Sequence, residues 1–154
     1  MTEVRFYHLQ RSTLEEALPK LLEKTLERGW RAVVMAGSED RVEALNGLLW
    51  TNSREGFLPH GSKKDGFADR QPVWLTEADE NPNSANVLFL IDGADSSRVG
   101  EYDLCCEMFD GRDDLAVAGA RDHWKRRKEA GFALTYWQQT DRGAWEKKAE
   151  SKGT

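Results

Sequence analysis

The sequence has 154 residues, of which 39% are hydrophobic and 32% are charged, and its formal net charge is −5. This length suits one ordinary domain, which can bury enough surface to fold without a disulfide or a structural metal. The excess of acidic residues excludes a protein that coats nucleic acid through its overall charge, because phosphate binding needs clustered Lys and Arg. A local basic patch is still compatible with this composition.

The first predicted elements are a strand over residues 4–9 and a leucine-rich helix that Gly29 ends. Ser12 or Thr13 can cap this helix, and a glutamate three residues later completes a capping box. Pro19 lies inside the helical pattern. The helix is therefore either kinked at Pro19 or begins later than the cap indicates.

The next elements alternate between apolar strands and amphipathic helices. Residues 31–36 are typical of a strand buried on both faces, and Ser38 caps a second helix. Residues 51–69 form a mostly polar loop, and residues 110–130 form the longest helix. Further strands are predicted at residues 72–76, 86–91, 101–109 and 132–138.

This alternation predicts an α/β fold with a mostly parallel, twisted sheet and helices on both of its faces. We expect a single domain over residues 1–142. Residues 143–154 form a charged, small-residue-rich tail, which we expect to fray. The topology is similar to that of nucleotide-binding folds.

The turns that would hold phosphate in such a fold have the wrong residues. A dinucleotide site needs glycines directly after the first strand, but residues 10–13 contain none. The second strand is followed by two carboxylates at residues 39–40, which repel phosphate, and residues 61–64 (GSKK) lack a flanking strand and helix. We therefore predict no phosphate-binding loop and no nucleotide cofactor.

Candidate catalytic and metal-binding residues are also sparse. His8, His60 and His123 do not pair at metal-ligand spacing, and the neighbouring Cys105 and Cys106 are too few for a zinc site. The cysteines are typical of small core residues in a reducing compartment. Asp92 lies at the end of a strand, where active-site residues often occur, but Asp-Gly there favours an ordinary turn. We predict no metal site and no catalysis.

The sequence shows no pattern typical of a targeting signal or a membrane span. The first residues show no basic-then-apolar leader, and no apolar run approaches the ~18 residues of a membrane span. We expect a cytoplasmic protein without a membrane partner.

Several motifs occur in an order that resembles the chi subunit family of bacterial DNA polymerase III. The first group is LNGLLW at residues 45–50, FLPHG at 57–61 and PVWL at 72–75. The second is ARDHWKRRKEAGF at residues 120–132. FYHL at residues 6–9 and NVLFL at 86–90 agree in kind.

The resemblance implies a non-catalytic accessory subunit in DNA replication, associated with the nucleoid and the replisome. Its ligand in the family is the disordered tail of single-stranded DNA-binding protein, an acidic run that ends in Pro-Phe with a free carboxylate. The family joins this protein to the clamp-loader complex through a psi subunit, so contact with DNA is indirect. We find no residues in this sequence that match the family's contacts with psi, so the sequence does not decide whether psi is a partner.

An acidic tail needs cations and an apolar pocket. Arg121, Lys125 and Lys128 are spaced to share one face of the predicted last helix, and Trp124 adjoins that face. Composition alone favours a solvated surface or cations that answer the helix dipole. The resemblance instead favours a binding site.

The resemblance also assigns Trp50 and Phe57 to the tail site, although core packing is a serious alternative for large aromatic residues. Two other functions stay open. One is a small α/β nucleotide-binding or regulatory enzyme. The other is a direct DNA-binding protein that uses the same basic helix.

Overall fold

A computed structural model describes residues 2–51 and 59–153, and these residues form eight strands and three helices. The strands are β1 (Glu3–Leu9), β2 (Ala32–Met35), β3 (Gly61–Ser62), β4 (Val73–Thr76), β5 (Val87–Leu90), β6 (Leu104–Asp110), β7 (Ala133–Gln139) and β8 (Trp145–Ser151). The helices are α1 (Leu14–Glu27), α2 (Glu39–Thr51) and α3 (Asp114–Glu129).

All eight strands belong to one sheet in the order β3-β4-β2-β5-β6-β1-β7-β8. Every neighbouring pair is parallel except β7 and β8, which are antiparallel. At the centre, Phe6 of β1 lies opposite Glu107 of β6 and Tyr136 of β7. The predicted α/β fold class is confirmed.

The two faces of the sheet are buried under different helices. Successive side chains of a strand point to opposite faces, so Tyr7 belongs to one core cluster and Phe6 to the other. The Tyr7 cluster also contains buried residues of α1 and α2. The Phe6 cluster contains Ala120 and half-buried Trp124 of α3. Helices α2 and α3 therefore cover opposite faces.

The start of α1 follows the predicted capping box. The Thr13 side chain accepts a hydrogen bond from the Glu16 backbone N–H, and Glu16 Oε1 in turn accepts from the Thr13 backbone N–H. The helix then runs through Pro19. The alternative in which the helix begins later than the cap indicates is wrong, because α1 starts at Leu14, directly after the Thr13 cap.

Two strands differ from the sequence-based expectation. Within the predicted polar loop, Gly61 and Ser62 form β3, which pairs with β4. The tail after Arg142 is the second case, because Trp145–Ser151 pairs with β7 as β8. Trp145 contacts Tyr7 in an edge-on geometry with ring centroids 4.9 Å apart. The expectation of a frayed tail is therefore wrong for these residues, since they pair with β7 and the indole packs against the core.

No helix within residues 2–51 and 59–153 is long and apolar enough to cross a bilayer.

The contact between Trp145 and Tyr7 generates a stability prediction. Trp145→Ala is expected to lower the free energy of unfolding by about 1–3 kcal/mol, because a half-buried indole is lost from the core. Urea unfolding measures this change. Lys148→Ala is the matched control in β8, since its exposed pair with Glu146 contributes little, and it should change stability by less than ~0.5 kcal/mol. Equal stability of the two variants would contradict the packed position of Trp145.

Candidate functional site

The cationic helix α3 is held at both ends by ordinary helix signals. The Asp113 side chain caps its first turn and accepts a hydrogen bond from the Leu115 backbone N–H at 3.0 Å. Gly131, with φ of +89°, follows its C-terminal end. Between these ends, Ala120 and Arg127 are buried and most other side chains are exposed.

Two arginines of α3 are already neutralised by the protein. Arg127 is 6% exposed and donates to Asp95 at 2.6 Å and to Glu107 at 3.2 Å. Arg126 pairs with Asp95 at 2.9 Å and with Asp122 at 3.1 Å. Burial alone raises the pKa of the Asp95 carboxyl, but hydrogen bonds from the two arginines outweigh it and lower the pKa to about 2. These two cations stabilise the fold.

The three cations predicted from the sequence behave differently. Arg121, Lys125 and Lys128 are exposed. Across the part of the chain that the structure describes, none of the three forms an ion pair within 4.0 Å. They therefore present uncompensated positive charge to solvent on an acidic protein.

An aromatic wall lies beside these cations, on the face of the sheet that α3 covers. Trp124 contacts Phe6 and Tyr136, with ring centroids 5.3 Å and 6.1 Å away. Phe109 lies 5.2 Å from His8 and 6.0 Å from Tyr136. We call Phe109, His8, Tyr136 and Trp124 the aromatic wall. The tail-site prediction did not include the first three, although alternation along the strands could have placed them on this face.

Arg121 connects the cations to the aromatic wall. Burial lowers the pKa of His8 below its ordinary value, the Asp110 carboxylate opposes this, and the charge of Arg121 lowers the pKa further. Burial raises the pKa of Tyr136, whereas Arg121 lowers it. The charge of Arg121 therefore acts on both rings, which links this cation to the aromatic wall.

Trp50 lies elsewhere. It is 53% exposed near the C-terminal end of α2, and its ring centroid is 4.8 Å from that of buried His60. Core packing therefore does not account for Trp50. The structure brings together Arg121, Trp124, Lys125 and Lys128 on α3, and it places Trp50 on the helix that covers the opposite face. Phe57 lies outside the described residues.

A cleft of about 550 Å³ lies at the carboxyl ends of β1, β5 and β6, where α/β folds commonly bind nucleotides, and its lining includes Phe109 of the aromatic wall. Two amides in the first turns of the helices beside this cleft already have acceptors. The Thr13 side chain accepts from a backbone N–H of α1, and the Asp113 side chain accepts from one of α3. Carboxylates of Asp92 and Glu107 also line it. This chemistry is unfavourable for phosphate.

The turn after β5 and the histidines show no catalytic arrangement. Asp92 has φ of +56° and pairs with Arg41 at 3.2 Å, as in an ion-paired turn. His123 Nδ1 contacts Glu107 Oε1 next to Arg127. Among residues 2–51 and 59–153, no group of three or more His, Cys, Asp or Glu side chains is placed to hold a metal ion.

Comparisons with known proteins agree with the motifs. Residues 1–135 match the family model described as DNA polymerase III chi subunit, HolC. A protein of Rickettsia prowazekii (strain Madrid E) with the name "Probable DNA polymerase III subunit chi" is 34% identical over 99 residues. That match covers 64% of this chain and 60% of the relative, so it spans less than two thirds of the relative's length. Since the family model covers most of the sequence, the chain belongs to the DNA polymerase III chi subunit family.

Proposed function

We propose that this chain is a non-catalytic subunit of the DNA polymerase III holoenzyme that uses α3 to bind the acidic C-terminal tail of single-stranded DNA-binding protein. The observation that carries the proposal is a set of exposed cations, Arg121, Lys125 and Lys128, which form no ion pair among the described residues and share α3 with Trp124 of the aromatic wall. This arrangement supplies the two features that an acidic tail with a terminal Phe needs.

Among the cations of α3, the three outside the ion pairs are the ones that favour an acidic ligand. Arg126 and Arg127 already bind carboxylates of this chain, so a ligand would have to displace an existing ion pair to use them. Arg121, Lys125 and Lys128 carry no such cost. A guanidinium can also bind a carboxylate through two parallel hydrogen bonds, whereas an ammonium acts as a point charge. We therefore assign the terminal carboxylate to Arg121 and the upstream acids to the two lysines.

The terminal ring has its partner in the aromatic wall. Tyr136 and Trp124 are half-buried and contact each other, so part of each residue is accessible to a ligand. A favourable aromatic pair contributes about 0.5–1.5 kcal/mol beyond its buried area. The same surface explains why the tail would end in an aromatic residue with a free carboxylate.

Trp50 and Phe57 stay in the proposal as tail contacts that the resemblance implies. Because α2 and α3 cover opposite faces of the sheet, we expect a contact at Trp50 to be separable from the contact at Arg121. Coupling of the bound tail to the clamp loader, with psi as the family's intermediary, also belongs to the proposal. Under this proposal, DNA is reached through its binding protein.

Direct DNA binding by the same face of α3 is the second candidate, because phosphates also bind unpaired Arg and Lys. The aromatic wall and the net charge of −5 favour a short acidic peptide over a long phosphate backbone. Bare oligonucleotides provide the direct comparison.

The first functional prediction concerns the tail itself. A peptide that ends in an acidic run followed by Pro-Phe should bind with a Kd on the order of micromolar, or about −8 kcal/mol, because few groups are engaged. The Kd should rise with salt, since charges are screened within ~10 Å at 0.1 M. Calorimetry at low salt measures it. No heat from the peptide, together with tight binding of an oligonucleotide, would support the DNA-binding alternative.

A second prediction separates the unpaired arginine from a paired one on the same helix. Arg121→Ala should weaken tail binding tenfold to a hundredfold, because a charge-assisted hydrogen bond contributes roughly 1.5–3 kcal/mol. Arg126→Ala removes the same charge but should leave the Kd within about twofold, since Arg126 already binds Asp95 and Asp122. Calorimetry and melting temperatures are measured on both. Equal losses of affinity would indicate non-specific attraction.

In the same series, Trp50→Ala tests the contact on the opposite face. Since Trp50 is 53% exposed, its truncation should cost less stability than the roughly 3–5 kcal/mol of a core Trp. A lower tail affinity in this variant, additive with that of Arg121→Ala, is the expected sign of a separate contact.

The third prediction concerns the peptide. Deletion of its terminal Phe should remove most of the affinity, whereas Asp→Asn at one upstream position should weaken binding by less than about fivefold. The ring and its carboxylate are desolvated in the site, while the upstream acids remain hydrated and contribute about 0–1 kcal/mol each. Titrations with the two altered peptides measure this difference. Similar losses would contradict a specific end-recognition site.

A further inference from the structure

We infer that His8 and Tyr136 form a proton-linked donor within the tail site: when His8 is protonated, the Tyr136 hydroxyl donates to an anionic group of the ligand beside Arg121. This inference rests on the proposed function, since it assigns a pH-dependent contact to the same site. It concerns two residues outside the predicted set.

The geometry places the two groups in direct contact. His8 of β1 and Tyr136 of β7 point to the face that α3 covers, and His8 Nδ1 lies 2.6 Å from Tyr136 Oη. Gly111 leaves room for the Nε2 edge of the ring, because a Cβ at that position would collide with the imidazole. The Gly111 backbone N–H donates to the Leu9 carbonyl at 2.7 Å, which holds this close approach in place.

Protonation changes what the Tyr136 hydroxyl can do. A hydroxyl has one proton to donate, and a neutral imidazole can accept that proton at Nδ1. Both nitrogens of an imidazolium are donors, so a protonated His8 donates from Nδ1 to Tyr136 Oη. The Tyr136 proton must then point away from His8. The protonated pair therefore offers one more outward donor and one more positive charge than a neutral pair that shares the Tyr136 proton.

The charged and titratable groups around His8 determine the pH at which its imidazole is protonated. They are Asp110 at the end of β6, which pairs with Arg112 at 3.0 Å, Arg121 on α3, and Tyr136 on β7. On the same face of β1, the neighbouring side chains Val4 and Phe6 are apolar. Burial and Arg121 lower the pKa of His8, so the free protein holds the ring mostly neutral at neutral pH.

A bound carboxylate reverses the effect of Arg121. It offsets the guanidinium charge and accepts from Tyr136, and both changes favour the imidazolium and raise the pKa of His8. By linkage, tail binding takes up a proton, and affinity rises as the pH falls through the pKa of His8 in the complex. If the bound tail raises this pKa by about one unit, affinity rises by up to about tenfold, and the full gain is reached below the pKa of His8 in the free protein.

The test is calorimetry of the wild-type chain with an N-acetylated acidic peptide ending in Pro-Phe, at about pH 8 and about pH 5.5 and constant ionic strength. The peptide carboxylates, with ordinary pKa values of about 3.3–4.3, stay ionised throughout. We expect tighter binding at the lower pH, by up to about tenfold, with proton uptake visible as buffer-dependent heat. His8→Gln and Tyr136→Phe should remove most of this pH dependence. Arg126→Ala, which lies outside the site, should keep it.

The possible outcomes are distinct. A wild-type Kd that does not change with pH, or a pH dependence that survives in His8→Gln, overturns the inference and leaves tail binding intact. A pH dependence that His8→Gln removes and Tyr136→Phe preserves overturns the hydroxyl route. No binding at either pH overturns the proposed function itself, and the inference with it.

Discussion

The ion pair between Arg127 and Glu107 is the interaction on which the candidate site depends. Both side chains are nearly buried, with 6% and 5% exposure, and Asp95 binds the same guanidinium at 2.6 Å. Loss of one partner of such a pair typically costs about 3–5 kcal/mol, because the other charge is left buried and unpaired. The pair therefore fixes the rotation of α3 on the sheet and decides which of its cations face the protein.

That rotation divides one basic segment into two groups with different roles. Arg126 and Arg127 turn toward carboxylates of the fold, while Arg121, Lys125 and Lys128 turn outward. Trp124, between the two groups, packs on Phe6 and leaves part of its ring accessible. Under the proposed function, the ion pairs that hold α3 and the cations that bind the tail are therefore different residues of one helix.

The strand order has a second consequence for function. From β2 the chain passes through α2 toward the β3 edge of the sheet, and from β6 it passes through α3 toward the β8 edge. Because crossovers of one hand run in opposite directions, the two helices cover opposite faces of one sheet. Two exposed features that the motifs associate with one ligand, Trp50 and the α3 cations, are thereby separated. Three rings of the aromatic wall come from β1, β6 and β7, which are neighbours in the sheet and distant in sequence.

The sequence by itself determined the α/β class, most helices and strands, a cap for α1 at Ser12 or Thr13 and the shared face of the α3 cations, because periodicity and capping are local. It did not reveal β8, whose polar residues pair only because β7 supplies a ladder and Tyr7 a surface for Trp145. Only the tertiary structure decided which cations are unpaired and that His8, Phe109 and Tyr136 meet beside Arg121. These contacts join strands far apart in the chain, and no local pattern encodes such distances.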